Sequence, residues 1–198
     1  EAGLFGIWDD LAEGIGLIAL LVIIAASVNK NFFTWTNISN IFVQSSMIGL
    51  IAMGMSMVIS AGQIDISVGS QVAFIGGFGI LVLNYTRSVW VMLAFCCAVG
   101  IALGAINGLL VTKGGMPSMI ATMAMQSACR SVINHFGSGG PFTVDSELYE
   151  SFRMLAVGGI EIGPSFKIPY LMIIFIVFVI IFDNIMRNTC LLYTSPSP

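Results

Sequence analysis

Three polar side chains recur at four-residue intervals in one otherwise apolar stretch, Gln126, Arg130 and Asn134, with Thr122 and Ser127 beside them. At that spacing residues share one face of a helix, so the stretch presents an amide, a guanidinium and a second amide in a row. Such a row can line a wet passage with hydrogen-bonding groups or pair with a carboxylate. Upstream, Gly62-Gln63-Ile64-Asp65-Ile66-Ser67-Val68-Gly69-Ser70 is a polar, glycine-bounded break between two apolar runs. Two readings of it stay open. In one it is a tight turn, with Asp65 or Ser67 capping the next helix, although no Glu or Gln completes a capping box. In the other it is an interrupted segment lining a water-filled path, where irregular backbone is tolerated at membrane depth. The candidates for such a path or its gate are Gly62, Gln63, Asp65, Ser67, Gly69, Asn107, Gln126 and Arg130.

Bond-making chemistry has little support. An enzyme needs a clustered nucleophile, base or metal set, and Asp65, Arg130 and the lone His135 do not provide one, Asp65 standing in a different stretch from the other two. Cys96 and Cys97 are adjacent, Cys129 and Cys190 are isolated, and no C-x-x-C or Cys/His cluster occurs, so no metal site is expected. No G-x-x-x-x-G-K-[ST] occurs either, and Lys113-Gly114-Gly115 and Gly137-Ser138-Gly139-Gly140 match neither a phosphate loop nor a dinucleotide fingerprint. No cofactor is expected, and any energy source would be another subunit or an ion gradient. Asn37-Ile38-Ser39 and Asn84-Tyr85-Thr86 match the glycosylation sequon, a pattern that arises often by chance.

The elements that must position these residues follow from composition. Of 198 residues only 7 are Lys or Arg and 10 are Asp or Glu, against 57% hydrophobic, and the mean hydropathy is +0.98. Soluble domains carry about 25% charged residues, and disordered chains need low hydrophobicity. A net charge of −3 with few basic residues gives no footprint for nucleic acid. An integral membrane protein remains. Charge is absent from 14–29, 31–64, 66–86, 88–112, 114–129, 131–144 and 168–182. A helix needs about 20 apolar residues to cross the hydrocarbon core. The runs are continuous rather than alternating, which selects helices over barrel strands. The expectation is an all-α, polytopic transmembrane helical bundle of about six spans, near 11–29, 41–61, 66–83, 89–112, 117–136 and 167–186. At that depth Arg130 must pair, face water or snorkel to the interface near His135. Asp65 is the only intramembrane carboxylate available to it.

Helices in lipid associate through small residues. Stripes occur at Ala52/Ser56/Ser60, Gly69/Ala73/Gly77 and Gly100/Gly104/Gly108, with a second, Ala94/Ala98/Ala102, on the fourth span. The last glycine stripe and the alanine stripe make the fourth span a central helix, and Gly100, Gly104 and Gly108 are its expected packing positions. The connection 137–166 is the one extended polar segment. It opens on a turn-rich run, carries Asp145, Glu147, Glu150 and Glu161, and contains Val157 to Pro164 as a possible short hairpin. Lys and Arg counts do not fix the orientation.

Asp9, Asp10 and Glu13 stand where a signal peptide would be basic, so the first span is expected to be retained. Cys190 to Pro198 shifts abruptly in composition and resembles translated sequencing adaptor. The expected organisation is one permease-type membrane domain over 1–189, truncated at both ends, with 190–198 a non-native tail.

Ile48-Gly49-Leu50-Ile51-Ala52-Met53-Gly54-Met55 running into Ala61 through Ser70 resembles the signature of the ribose/xylose/arabinose/galactoside-type ABC importer permeases. Two further matches follow in the family's order, Gly104-Ala105-Ile106-Asn107-Gly108-Leu109-Leu110-Val111-Thr112-Lys113-Gly114 and Pro117-Ser118-Met119-Ile120-Ala121-Thr122-Met123 leading to Ala128-Cys129-Arg130. Together they cover about 48–142. Gln63 departs from the family's usual glycine. The resemblance implies a transport subunit rather than an enzyme, in the bacterial inner membrane, forming a monosaccharide pathway by alternating access. It implies as partners an ATP-binding subunit, a periplasmic or lipid-anchored sugar-binding protein, a second permease copy or paralogue, and membrane lipid. It also implies an N-terminus inside and the 137–166 connection outside, where the binding protein would dock. The rival reading is an ion-coupled secondary transporter of a small polar solute, which small-residue packing and interrupted helices suit equally.

Overall fold

The computed structural model describes residues 2–137, 139–161 and 167–188. It is built from helices α1 (Ala2–Val28), α2 (Trp35–Ser60), α3 (Val68–Thr86), α4 (Val89–Thr112), α5 (Ser118–Phe136), α6 (Ser146–Val157) and α7 (Tyr170–Asn188), with strands β1 (Gly159–Glu161) and β2 (Lys167–Pro169) between the last two. The all-α architecture expected from the continuous apolar runs is what the chain forms. α2, α3 and α4 are each long and apolar enough to cross a membrane. Gly14–Val28 and Tyr170–Met186 are shorter apolar helical stretches. α5 coincides with the expected fifth span, and its Gln126, Arg130 and Asn134 keep it out of that apolar class.

Burial shows what solvent this fold is made for. Among the described residues the buried apolar side chains are few: Val43, Leu83, Met92, Ala121 and Cys129. Large apolar side chains lie outward all round, with Val28 82%, Trp90 79% and Ile101 74% exposed. In water that arrangement would leave most of the hydrophobic driving force unused. In lipid it is the stable one, and helix association then rests on close packing.

Two packed groups result. α3 packs against α4 and α5, and α4 also touches α5; α2 packs along α7, which α6 and the β1–β2 hairpin adjoin. Gly49 lets α2 approach α7 closely, since a Cβ there would lie 2.5 Å from the Phe175 ring. Gly79 does the same for α3 and α4, where a Cβ would lie 2.8 Å from Cys96 Sγ. Gly79→Leu should therefore force the α3–α4 seam apart and destabilise the bundle by about 1–3 kcal/mol, the usual cost of overpacking. The check is a shift of the thermal midpoint of the detergent-solubilised protein relative to Gly76→Leu, a position open on all sides.

The polar connection differs from expectation in containing α6. Leu148 and Phe152 recur there at helical spacing behind Asp145, and Leu148 N–H donates to the Asp145 carbonyl at 2.9 Å. The hairpin exists but is wider than Val157 to Pro164. β1 pairs antiparallel with β2 in the register Gly159–Pro169, Ile160–Ile168 and Glu161–Lys167. The stretch 162–166 and the tail Cys190 to Pro198 lie outside the described residues.

Candidate functional site

The break between α2 and α3 is first of all two helix ends. α2 stops in a Schellman arrangement. Gly62 takes φ 71°, its N–H donates to the Ile59 carbonyl at 2.8 Å, and Gln63 N–H reaches back to Val58 at 3.1 Å. A side chain at position 62 would be strained in that left-handed conformation. Gly62 and Gln63 are thus the stop signal of α2, both exposed.

α3 starts from Asp65. Its Oδ1 accepts the Ser67 N–H at 2.8 Å and the Ser67 hydroxyl at 2.5 Å. Ser67 has helical backbone angles, so it is Asp65, two residues back, whose carboxylate satisfies a free N–H at the helix start. The Ser67 hydroxyl is a saturated hub. It gives its single proton to Asp65 and accepts from Gln71 Nε2 at 2.7 Å and from Asn107 Nδ2 on α4 at 3.1 Å. Ser67 is fully buried and Asn107 nearly so. The hub therefore fastens α4 to the beginning of α3. Asn107 Oδ1 is buried with no hydrogen-bond partner among the described residues. Ile64 N–H points to Ser118 Oγ at 3.4 Å, which brings the break to the start of α5.

On another face of α3 lies a cavity of about 430 Å³, lined by Ile66, Gly69, Ser70, Ala73, Gln126, Arg130, Ile133 and Asn134. The row Gln126, Arg130, Asn134 of α5 thus faces the Gly69/Ala73 stripe of α3. Small residues on one wall leave the room, and the long polar ones on the other line it. Arg130 makes no hydrogen bond or ion pair among the described residues, and it does not pair with Asp65. Helix geometry explains this: residues 67 and 69 point about 200° apart around α3, so the cap and hub face α4 while the cavity faces α5.

The candidate residues therefore fall into groups. Gly69, Gln126 and Arg130 meet at the cavity; Asp65, Ser67 and Asn107 meet at the hub; Gly62 and Gln63 end α2. Of the α4 stripe, Gly100 lies in ordinary contact range of Ile75, whereas Gly104 and Gly108 are exposed and a Cβ at either would meet nothing within 4 Å. Sequence reasoning did not anticipate Gln71 in the hub, though it stands one helical turn from Ser67, or Ile133 at the cavity, where an apolar residue in an apolar run carries no signal.

It also missed a polar corner at the far end of α3. Arg87 closes that helix in the left-handed conformation at φ 56°, which costs a non-glycine residue about 1–3 kcal/mol unless its surroundings hold it. Its guanidinium pairs with Glu147 and lies 3.6 Å from Asp145. Beside it the Asn84 amide donates to the Thr143 carbonyl at 2.9 Å and accepts the Asp145 N–H at 3.1 Å. The Asn84 sequon nitrogen is occupied by this contact.

Apolar helices turned outward, with a cleft between two of them lined by polar side chains, are the architecture of a multi-pass helical membrane protein. The chain belongs to the family described as branched-chain amino acid transport system / permease component, which matches residues 37–191. It is similar to the ribose import permease protein RbsC of Escherichia coli (strain K12), 37% identical over 148 residues that cover 72% of this chain and 46% of that one. It is also similar to the L-arabinose ABC transporter permease protein AraH of Azospirillum brasilense, 28% identical over 87% of this chain and 50% of the other. The fructose import permease protein FruF of Bifidobacterium longum (strain NCC 2705) is 33% identical over 66% of this chain and 40% of its own. The chain spans about half the length of the curated relatives it matches. No solved structure matches it.

Proposed function

We propose that this chain is part of the membrane-spanning permease subunit of an ATP-driven importer of a monosaccharide, embedded in a bacterial inner membrane, and that the α3–α5 cavity belongs to its solute pathway. The observation that carries this reading is the cavity wall, where two amides, a guanidinium and the Ser70 hydroxyl converge without a carboxylate. The two amides supply both donors and acceptors, and the guanidinium supplies donors alone. A polyhydroxylated solute asks only for neutral donors and acceptors and a guanidinium, which is what lines the space. The names of the relatives, ribose, L-arabinose and fructose permeases, agree with a sugar.

The chemistry assigned to the residues is then modest. Gln126, Asn134 and Arg130 exchange hydrogen bonds with solute hydroxyls as water is displaced, loosely enough for release. Asp65 and Ser67 fix the start of α3, so that Gly69 and Ala73 keep the cavity open on one side. The partners in this reading are an ATP-binding subunit, an external sugar-binding protein and a second permease copy or paralogue. They supply the nucleotide chemistry and the capture of solute for which this chain has no motif.

The test is uptake of labelled ribose, arabinose and fructose into proteoliposomes holding the full-length permease. Uptake should require the ATPase subunit and ATP inside the compartment corresponding to the cytoplasm, and a branched-chain amino acid should not compete. Uptake driven by an ion gradient without an ATPase would replace this reading by a secondary transporter. Asp65→Asn should cut uptake severalfold. If uptake stays normal with normal assembly, the Asp65 charge has no part in the pathway.

A further inference from the structure

One stripe of small residues on α3 has two different fates. Gly69 and Ala73 line the cavity, while Gly77, the next position along, is buried under Ile133 and Phe142. A Cβ at Gly77 would run into Ile133 Cδ1 and lie 3.0 Å from the Phe142 ring. Ile133 also lines the cavity, whereas Phe142 does not, so the lining passes into close packing at the contact over Gly77. The Phe142 ring sits between two glycines, since a Cβ at Gly137 would lie 3.1 Å from it as well.

Phe142 belongs to the strap that leaves α5, and the strap is held at its next residues. Asn84 reads the backbone on both sides of Val144, at the Thr143 carbonyl and the Asp145 N–H, as a neighbouring strand would. Arg87 engages Asp145 and Glu147. Exposed ion pairs are individually weak, and these side chains are about half or more exposed. A hold of that strength can be undone by a modest bias toward another state.

We propose that Asn84 and Arg87 form a latch that keeps Phe142 wedged over Gly77, so that opening the cavity at this end requires the strap 142–147 to come off the α3–α4 corner. This gate rests on the reading of the cavity as the solute pathway only for its purpose, not for its existence. The latch is a positioning device: Arg87 and Asn84 touch no solute and act through the seat of Phe142.

The experiment measures access to the cavity directly. In the membrane-embedded full-length chain with its native cysteines replaced by alanine, Ile133→Cys, at a half-buried lining position beside the wedge, reports the labelling rate by a bulky impermeant thiol reagent added on the face that bears the strap. Arg87→Glu should speed labelling roughly tenfold, the effect of a tenfold shift toward the open state. Arg87→Glu combined with Glu147→Arg should return it toward the slow rate. Phe142→Ala removes the wedge and leaves the ion pairs alone, and it should also speed labelling. Equal rates in Arg87→Glu and the parent, with monodisperse protein in both, would overturn the latch. Faster labelling in Phe142→Ala alone would overturn it equally, because the wedge would then hold without the corner. Protection of Ile133→Cys by added sugar is read separately and tests the pathway, not the latch.

Discussion

Replacing Ser67 by Ala is expected to weaken the bundle by about 1–3 kcal/mol, more than a surface serine would. The hydroxyl answers three other groups at once. Its loss leaves the Asn107 amide and the Gln71 amide without an acceptor and frees one of the two bonds on Asp65. An orphaned buried donor costs about 1–3 kcal/mol. Hydrogen bonds between helices in lipid average nearer 0.6 kcal/mol, because the unfolded chain in the membrane finds other partners. The estimate therefore sits at the lower end for each bond and is raised by their number. Adding Asn107→Leu should recover part of the loss, since that side chain already leaves Oδ1 unpartnered and leucine removes both unsatisfied atoms. A double-mutant cycle on thermal midpoints in detergent measures the coupling. Additive losses at 67 and 107 would mean that the hub does not tie α3 to α4.

Arg130 should behave in the opposite way. With no hydrogen bond or ion pair among the described residues, its guanidinium contributes little to folding. Arg130→Ala in the full-length permease should leave the thermal midpoint nearly unchanged while uptake falls about tenfold or more, equivalent to about 1.4 kcal/mol of lost interaction with the moving solute. Arg130→Lys should recover only part of the rate, because an ammonium lacks the planar fork that can hold two hydroxyl oxygens together. Stability and uptake measured on the same preparations separate the outcomes. A large loss of stability would show that Arg130 has a structural partner, and full uptake by Arg130→Ala would remove it from the pathway.

The two predictions differ because two kinds of polar residue look alike in an apolar sequence. Ser67 and Arg130 were both candidates for a wet interior, and both stand among apolar neighbours. One proves to be saturated by protein groups and the other unpartnered. Spacing along a helix tells which residues share a face, as it did for Gln126, Arg130 and Asn134. It does not tell what stands opposite that face. Asp65 illustrates the limit: by sequence it is a natural partner for Arg130. Yet the phase of α3 turns its cap toward α4 and the cavity toward α5.

What the sequence alone determined is local or compositional. The scarcity of charge and the length of the apolar runs pointed to helices in lipid, because backbone groups there must be satisfied within the protein and runs that do not alternate rule out barrel strands. Gly62 announced the end of α2, since only glycine enters the left-handed turn without strain. The helical row on α5 followed from a four-residue period. The tertiary structure decided the rest: the Ser67–Asn107 bond spans 40 positions and the Asn84–Thr143 bond spans 59. Gly77 is buried under Ile133 and Phe142, while Gly104 and Gly108, in an equally regular stripe, meet nothing. Pairings of that range depend on how helices rotate and cross. That is set by the sum of many weak packing contacts, so no single stretch of residues encodes it.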